Sequence, residues 1–369
     1  MRHISLFILS FLVCISFSLP LFSNTSIYRG NQKLTGKTSG TIPTKVGILW
    51  SFQTNDAIKA SPVAKGNRIV FGSTDNYVYC INLKGELIWK YKTSNAIEGS
   101  ALIRNNTVYI GNLWGTLYAL ELETGKLLWE LETDSQIMAS PNWWSDGQKE
   151  YILVGAYDYN LYCIDAKTGK KVWKYETNNY VHSIVAIDGN NAVFGGCDGL
   201  LHIVDIPSGK GVKSIEVATY IASSAALDNG NAFIGDYDGK VSCINYIKGE
   251  VKWEFSSQER KLPFIGSPSI VGDRVFIGNR DRFIYCLDKA NGNLIWQRNT
   301  GNRVEASPLA DGKNVLVANM RGDLLLLNQD NGAVIWTYEL GSPIISNPFV
   351  VDSKIIVGTQ DGTIYCLGS

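Results

Sequence analysis

Trp50, Trp89, Trp129, Trp173, Trp253, Trp296 and Trp336 recur at intervals of 39 to 44 residues, with a single gap of 80. The long gap holds a degenerate copy, "SGKGVKSIEV", which puts Lys213 where tryptophan is due, so the chain carries eight units. Their starts read "ASPV", "GSAL", "ASPN", "HSIV", "SSAA", "GSPS", "ASPL" and "SNPF". A strand ending in Gly follows each start, then a polar turn, a strand carrying Tyr-Cys, a Gly turn and the Trp strand. A fixed period of about 40 residues means one supersecondary unit repeated, and it overrides any reading of the chain as two or three unrelated domains.

Alternation in "TVYIG", "RVFIG" and "KIIVG", with "DG" and "TG" pairs between, predicts short antiparallel strands joined by tight turns. Four strands and one aromatic per unit predict an all-β fold, an eight-bladed β-propeller of four-stranded blades. The rival is an open solenoid, whose terminal repeats should be polar caps; neither end copy here is polar, and both are incomplete. "VGILWSFQT" near the start is a Trp strand with no blade before it, and "GTQDGTIYCLGS" at the end stops short of its Trp strand. Pairing residues 46–53 beside the strand with Tyr365 and Cys366 would complete the last blade and close the ring.

With 45% hydrophobic and 18% charged residues and zero net charge, the chain suits a core-rich fold with no whole-molecule attraction to nucleic acid or acidic lipid. The start, "MRHISLFILSFLVCISFSLPLFSNTS", reads as an export signal over residues 1–23, followed by a lead-in over 24–45 and the propeller over 46–369. An uncleaved anchor and a lipoprotein signal at Cys14 are the rivals. Cys80, Cys163, Cys243, Cys286 and Cys366 share one repeat position with Ala119, Ile203 and Leu327. A site filled so variously is a buried apolar site, not half of a disulfide. Cys197, in "GGCDG", is expected to lie exposed in a turn.

The units resemble the pyrroloquinoline quinone (PQQ)-like β-propeller superfamily, whose typical motif is Asp-x-x-Thr-Gly-x-x-x-Trp. Asp165 to Trp173 matches it, as do Glu121 to Trp129 and, with Asn for Thr, Asp288 to Trp296. The lead "YRGNQKLTG", Tyr28 to Gly36, is similar to the Arg-Gly-Asn/Asp-x-x-x-Thr-Gly segment preceding the first blade in bacterial members. The resemblance covers residues 28–369. It implies tryptophans packed between blades, and a family that spans quinoprotein dehydrogenases and the propeller component of the outer-membrane β-barrel assembly machinery.

Quinoprotein chemistry, as the resemblance implies, needs a catalytic Asp, calcium ligands, usually a vicinal disulfide and a Trp floor under the quinone. This chain has no Cys-Cys pair, and its blades leave almost no insert for a cofactor cage. Asp75, Asp158, Asp198, Asp238, Asp281 and Asp361 fall at one repeated turn position, where Asp bonds its own backbone. His202 replaces the Tyr of "YC" and reads as a packed strand residue. No metal-binding cluster, Walker loop or Gly-x-Ser-x-Gly elbow is present. The reading is therefore no enzyme and no cofactor.

Function is then expected on the faces. The loops entering each innermost strand and those between second and third strands share one face, here called the top. Trp114, Tyr157, Tyr159, Tyr180, Tyr220 and Tyr237 fall there as an aromatic arc, with Asp158, Asp236 and Asp238 near. Arg260, Lys261, Arg280, Arg282, Arg303 and Arg321 form a basic arc. Exposed Tyr, Trp and Arg are the residue types that anchor interfaces. On the opposite face Trp143 and Trp144 are expected to split, one into the core and one outward. Lys59, Glu98, His182 and Glu305 should line the channel mouth, with Lys59 and Glu98 on neighbouring blades and able to pair.

The combined expectation is an exported, monomeric, non-catalytic scaffold in the periplasm or at the cell surface. Its partner would be an envelope protein or an extracellular polymer, with membrane contact only through an N-terminal anchor. The alternative is a PQQ- or small-ligand-binding protein using the channel mouth.

Overall fold

The computed structural model describes residues 26–221, 223–257 and 261–369, and the export-signal reading lies outside them. The described residues form eight four-stranded antiparallel sheets. Seven of them use four consecutive strands, as in Leu102–Arg104, Thr107–Gly111, Thr116–Glu121 and Leu127–Glu132. The eighth joins the two ends of the chain. Gly47–Gln53 pairs antiparallel with Thr363–Gly368, with Trp50 opposite Cys366 and Ser51 opposite Tyr365. The ring is closed by the two incomplete copies, as their half-patterns require.

Burial follows strand position. The second strand is almost wholly buried, as in Arg68–Gly72, whereas the outermost alternates, as in Leu127–Glu132. Apolar side chains gather into eight clusters, one at each junction of neighbouring blades. Cys80, Cys243, Cys286 and Cys366 lie within them, and all five repeat cysteines, Cys163 included, are fully buried or nearly so. Burial pushes the Cys80 thiol up to about 12 and the Cys243 thiol to about 11, so both stay protonated at neutral pH.

The recurring tryptophan is the clasp between blades. Each indole N–H donates to a backbone carbonyl of the next blade: Trp89 to Leu122 at 2.8 Å, Trp173 to Ile206 at 2.9 Å, Trp296 to Gln329 at 2.9 Å. Trp50, Trp129 and Trp253 do the same with Leu83, Ala166 and Lys289. The ring also lies on the turn glycine of that blade; a Cβ on Gly125 or Gly169 would overlap Trp89 or Trp129. This accounts for the motif. Asp165 accepts from the Lys167 and Thr168 amides and shapes the turn, Gly169 admits the preceding indole, and Trp173 reaches forward. Lys213 substitutes for the eighth indole. Its stem lies on Gly249, and its ammonium donates to the Ile247 and Lys248 carbonyls.

The lead-in is part of the ring. Trp336 faces a blade whose turn would lie between the two chain ends, and the Pro43 carbonyl takes the missing acceptor's place. Residues 26–36 run beneath the innermost strands, accepting from the amides of Ile103, Ile187, Leu227, Ile270 and Ala310. Leu34 and Ile42 are fully buried. The buried Arg29 guanidinium donates to the carbonyls of Leu34, Pro308 and Pro268, and burial lowers it to about 10. It therefore remains charged at neutral pH.

A second ring of bonds lines the channel. The Ser61 amide donates to Ser100 Oγ and the Ser100 amide to Ser140 Oγ, both at 2.8 Å. The Ile184, Ser224 and Ser267 amides donate to Ser224, Ser267 and Ser307 Oγ. Ser307 donates to Asn347 Oδ1, and Asn347 closes the circle on Ser61 Oγ. Ile184, with no hydroxyl, leaves the one gap. The repeated "ASP" is thus a blade-to-blade link.

Deleting residues 46–53 is expected to abolish the cooperative urea transition of the whole ring; unchanged melting would disprove closure by the terminal strand. Trp89→Ala should cost about 3 kcal/mol by the usual range for a buried aromatic. Lys213→Met, which keeps the stem and loses the bonds, should cost about 1 kcal/mol in the same urea titration.

Candidate functional site: the top face and the channel mouth

The top-face turns are built by their aspartates. Asp75 accepts from the amides of Asn55 and Tyr77 and from the Tyr79 hydroxyl. Asp158 and Asp281 repeat the pattern with Tyr162 and Tyr285, and Asp361 accepts from the Thr363 amide. In the fourth blade His202 replaces the tyrosine and meets Asp198 at 3.1 Å, buried and stacked on Phe194. The structural role expected for these aspartates and for His202 holds. Asp236 is not a surface group: it is buried, burial raises its carboxyl, and it accepts from the Lys240 amide.

Every such turn ends in the left-handed region. Gly115, Gly199, Gly239, Gly322 and Gly362 take that position in five blades and Asn76 in a sixth. The other two hold Tyr159 at φ 69 and Arg282 at φ 80. A side chain there costs roughly 1 kcal/mol relative to glycine.

The aromatic arc is continuous in blades 3 and 4. Tyr159 lies 5.3 Å from Tyr180, which stacks on Tyr157 at 4.6 Å. The Tyr157 hydroxyl meets His182 Nδ1 at 2.5 Å, so the ladder runs from an exposed turn to the channel mouth. Burial raises the Tyr157 phenol to about 12, so it is the donor to a neutral imidazole. Tyr220 and Tyr237 form an edge-to-face pair at 4.7 Å in blade 5. Trp114 stands apart from these contacts, 68% exposed. Cys197 is buried beneath the arc, contrary to the exposed turn position expected of it, because Tyr180 and Tyr220 fold over the turn. Burial raises its thiol.

The basic arc divides. Arg280 pairs with Glu305 at 2.8 Å and Arg321 with Asp323 at 2.7 Å, so both are committed within the ring. Lys261, Arg282 and Arg303 are exposed, with no ion pair to any described residue. Arg260 lies outside the described residues.

Lys59, Glu98, His182 and Glu305 come together around one chamber of about 220 Å³, with Ser100, Ser140 and Ser267 in its wall. Lys59 pairs with Glu98 at 2.7 Å, as their neighbouring blades suggested. Tyr28 of the lead-in also lines the chamber and lies 3.4 Å from Ser307 Oγ, a contribution no repeat pattern could reveal. Burial holds the His182 imidazole below its ordinary value, and Glu98 opposes the shift. On the opposite face the two tryptophans separate. Trp144 is buried against Tyr151, while Trp143 is half-exposed under the Arg104 guanidinium, 3.5 Å away.

Among the described residues, no three His, Cys, Asp or Glu side chains come together as a metal site.

Acid should weaken this region. An unfolded imidazole titrates near 6.5, and burial is the main cause lowering both His182 and His202 in the folded state. Below about that pH the unfolded chain binds more protons, so stability should fall as pH drops from 7.5 to 5. His182→Asn should lose less stability than the parent over that interval in urea titrations; an equal loss would remove His182 from the effect.

The same geometry recurs in known structures at low identity. BamB from Moraxella catarrhalis matches with a TM-score of 0.74 at 19% identity, covering 88% of this chain and 98% of the other. A europium-containing methanol dehydrogenase matches at 0.79 and 14%, covering 94% and 98%. The quinohemoprotein alcohol dehydrogenase of Comamonas testosteroni matches at 0.78 and 12%, covering 94% and 81%. These likenesses establish the fold. A search of curated proteins finds no match. The repeat itself is matched over residues 43–141, 74–225, 198–301 and 280–368 by one family model. Its span takes in the closing strand, all seven tryptophans and the degenerate copy at Lys213, and on that ground the chain belongs to the PQQ-like propeller family described as outer membrane protein assembly factor BamB.

Proposed function

We propose that this protein is an exported, non-catalytic scaffold of the cell envelope that binds a partner protein through its top face. The observation that carries the reading is the pair of strained turns. At a position that five sister blades give to glycine, Tyr159 and Arg282 accept a left-handed backbone and stand exposed. Strain kept where glycine would relieve it points to a role outside the fold. Tyr159 continues into Tyr180 and Tyr157, and Arg282 is exposed as Lys261 and Arg303 are, so each strained residue belongs to one arc. The family description supplies the partner class, a component of outer-membrane protein assembly.

The channel mouth is a poor fit for pyrroloquinoline quinone. That cofactor is a flat tricarboxylate, and the chamber presents it with the Glu98 and Glu305 carboxylates. Lys59 and Arg280, the cations that could offset them, are each bound to one of those carboxylates. Tyr28, not a tryptophan, reaches into the chamber, and no vicinal cysteine pair exists in the chain. No reaction step is assigned to these residues.

Tyr159→Gly and Arg282→Gly should raise the melting temperature or leave it unchanged while reducing partner capture from solubilised envelope at least fivefold. Capture at the parental level by both variants would overturn the reading. Adding the quinone with calcium to purified protein should produce no stoichiometric absorbance change and no dye-linked alcohol oxidation. Either signal would favour the ligand-binding alternative.

A further inference from the structure

The outer rim of the ring is uneven, and the unevenness is confined to one arc. In blades 1 to 5 the outermost strands Leu87–Lys92, Leu127–Glu132, Lys171–Glu176, Lys210–Glu216 and Glu250–Ser256 each carry two or three charged residues. In blades 6 and 7, Leu294–Asn299 and Val334–Glu339 carry one each, Arg298 and Glu339. The closing strand Gly47–Gln53 carries none. Exposure runs the opposite way. The first five outermost strands each expose one large apolar residue: Leu87, Leu128, Val172, Val212 and Val251. The last three expose two each: Leu294 with Ile295, Val334 with Ile335, and Ile48 with Leu49.

An outermost strand leaves every second backbone N–H and C=O without a strand partner, and proteins guard such edges with charge, above all lysine. Every outermost strand carries a bulge, at Leu49 on the closing strand, so the blades differ in charge alone: it is present on five consecutive blades, fades on the next two and is absent on the closing strand. Among the described residues, Thr363–Gly368 is the one strand that pairs with Gly47–Gln53. What an open edge accepts is dictated by its backbone, and that is another strand. We infer that Gly47–Gln53 is a docking edge that takes an extended, uncharged segment of a partner protein as a fifth, antiparallel strand of the eighth blade. Ile48 and Leu49 would receive its apolar side chains, with the apolar rims of blades 6 and 7 beside them.

A second copy of this chain fits less well. Two convex rims meeting edge to edge touch at one strand and curve apart on both sides, whereas a stable interface buries roughly 1,200 Å². A single extended segment meets no such limit. The inference stands apart from the top-face reading, since it uses a different surface and none of its residues.

The probe is a fluorescein-labelled peptide of alternating threonine and valine, eight residues long, with a lysine at each end; a second peptide carries proline at its centre. Fluorescence anisotropy should rise saturably with the first peptide, and amide hydrogen exchange should slow across residues 47–53. The proline peptide, which cannot complete the ladder, should bind at least tenfold more weakly. Introducing Ile48→Lys with Leu49→Lys puts charge on the one outermost strand that has none and should weaken the first peptide at least fivefold, with the melting temperature as the check on folding. Tyr159→Gly and Arg282→Gly should bind the peptide as the parent does, which separates failure here from failure of the top-face reading. No saturable binding, equal binding of the proline peptide, or exchange protection away from residues 47–53 would overturn the inference. So would a concentration-dependent dimer in sedimentation that the double lysine variant abolishes, since that would assign the edge to a second copy.

Discussion

One hydrogen bond, made eight times, holds the ring together: a donor on each outermost strand reaches a backbone carbonyl of the next blade's turn or, for Trp336, of the lead-in. Taken singly it contributes about 1 kcal/mol. Its effect is larger because the indole that carries it covers a glycine and seals the cluster of apolar side chains at that junction. The serine ring does the same work near the axis at every junction but the one at Ile184, six times through a hydroxyl and once through the Asn347 side-chain oxygen. Each blade is thus tied to its neighbour at the rim and, except between the third and fourth blades, at the channel, with apolar packing between the two ties. A ring so linked has no end at which unfolding can begin, except where the two chain termini meet.

That junction explains the lead-in. The last blade has no turn between its third and fourth strands because its fourth strand is Gly47–Gln53, from the opposite end of the repeat array. Trp336 nevertheless finds a carbonyl, from Pro43. Beneath the channel the same segment spreads across the innermost strands of several blades, anchored by the buried Arg29. It brings Tyr28 into the chamber at the channel mouth. The segment therefore belongs to the closure of the ring and to the chamber alike.

The turns on the top face show how little freedom remains for function. Their aspartates are consumed in shaping the loops, and two of the arginines are consumed in ion pairs. What remains uncommitted is a short set of exposed side chains, and two of these sit on backbone that glycine would hold more comfortably. The rim carries its own asymmetry, with charge spread over five blades and withdrawn from the strand that closes the circle. These two surfaces lie on different sides of the molecule and make separate demands on a partner.

The period of the tryptophans, the alternation between them and the two half-copies at the ends already contained the fold class, the blade count and the place of closure, because these depend on local pattern and on leaving no strand unpaired. The buried role of the repeat cysteines and the turn-building role of the aspartates were legible for the same reason: each position can be compared with seven others. Comparison fails where a residue has no counterpart. Cys197 reads as exposed because its turn is polar, and only packing shows two tyrosines folded over it. Lys213 reads as a lapse in the pattern, yet in three dimensions its stem and ammonium reproduce both contacts of an indole. The pairing that commits Arg280 to Glu305, the left-handed backbone under Tyr159 and Arg282, and the lead-in's place under the channel all join segments far apart in the chain or depend on backbone geometry. Repetition encodes what is equivalent among blades; what makes one blade differ from another was decided by tertiary contacts, because those contacts are made between residues that no periodic pattern relates.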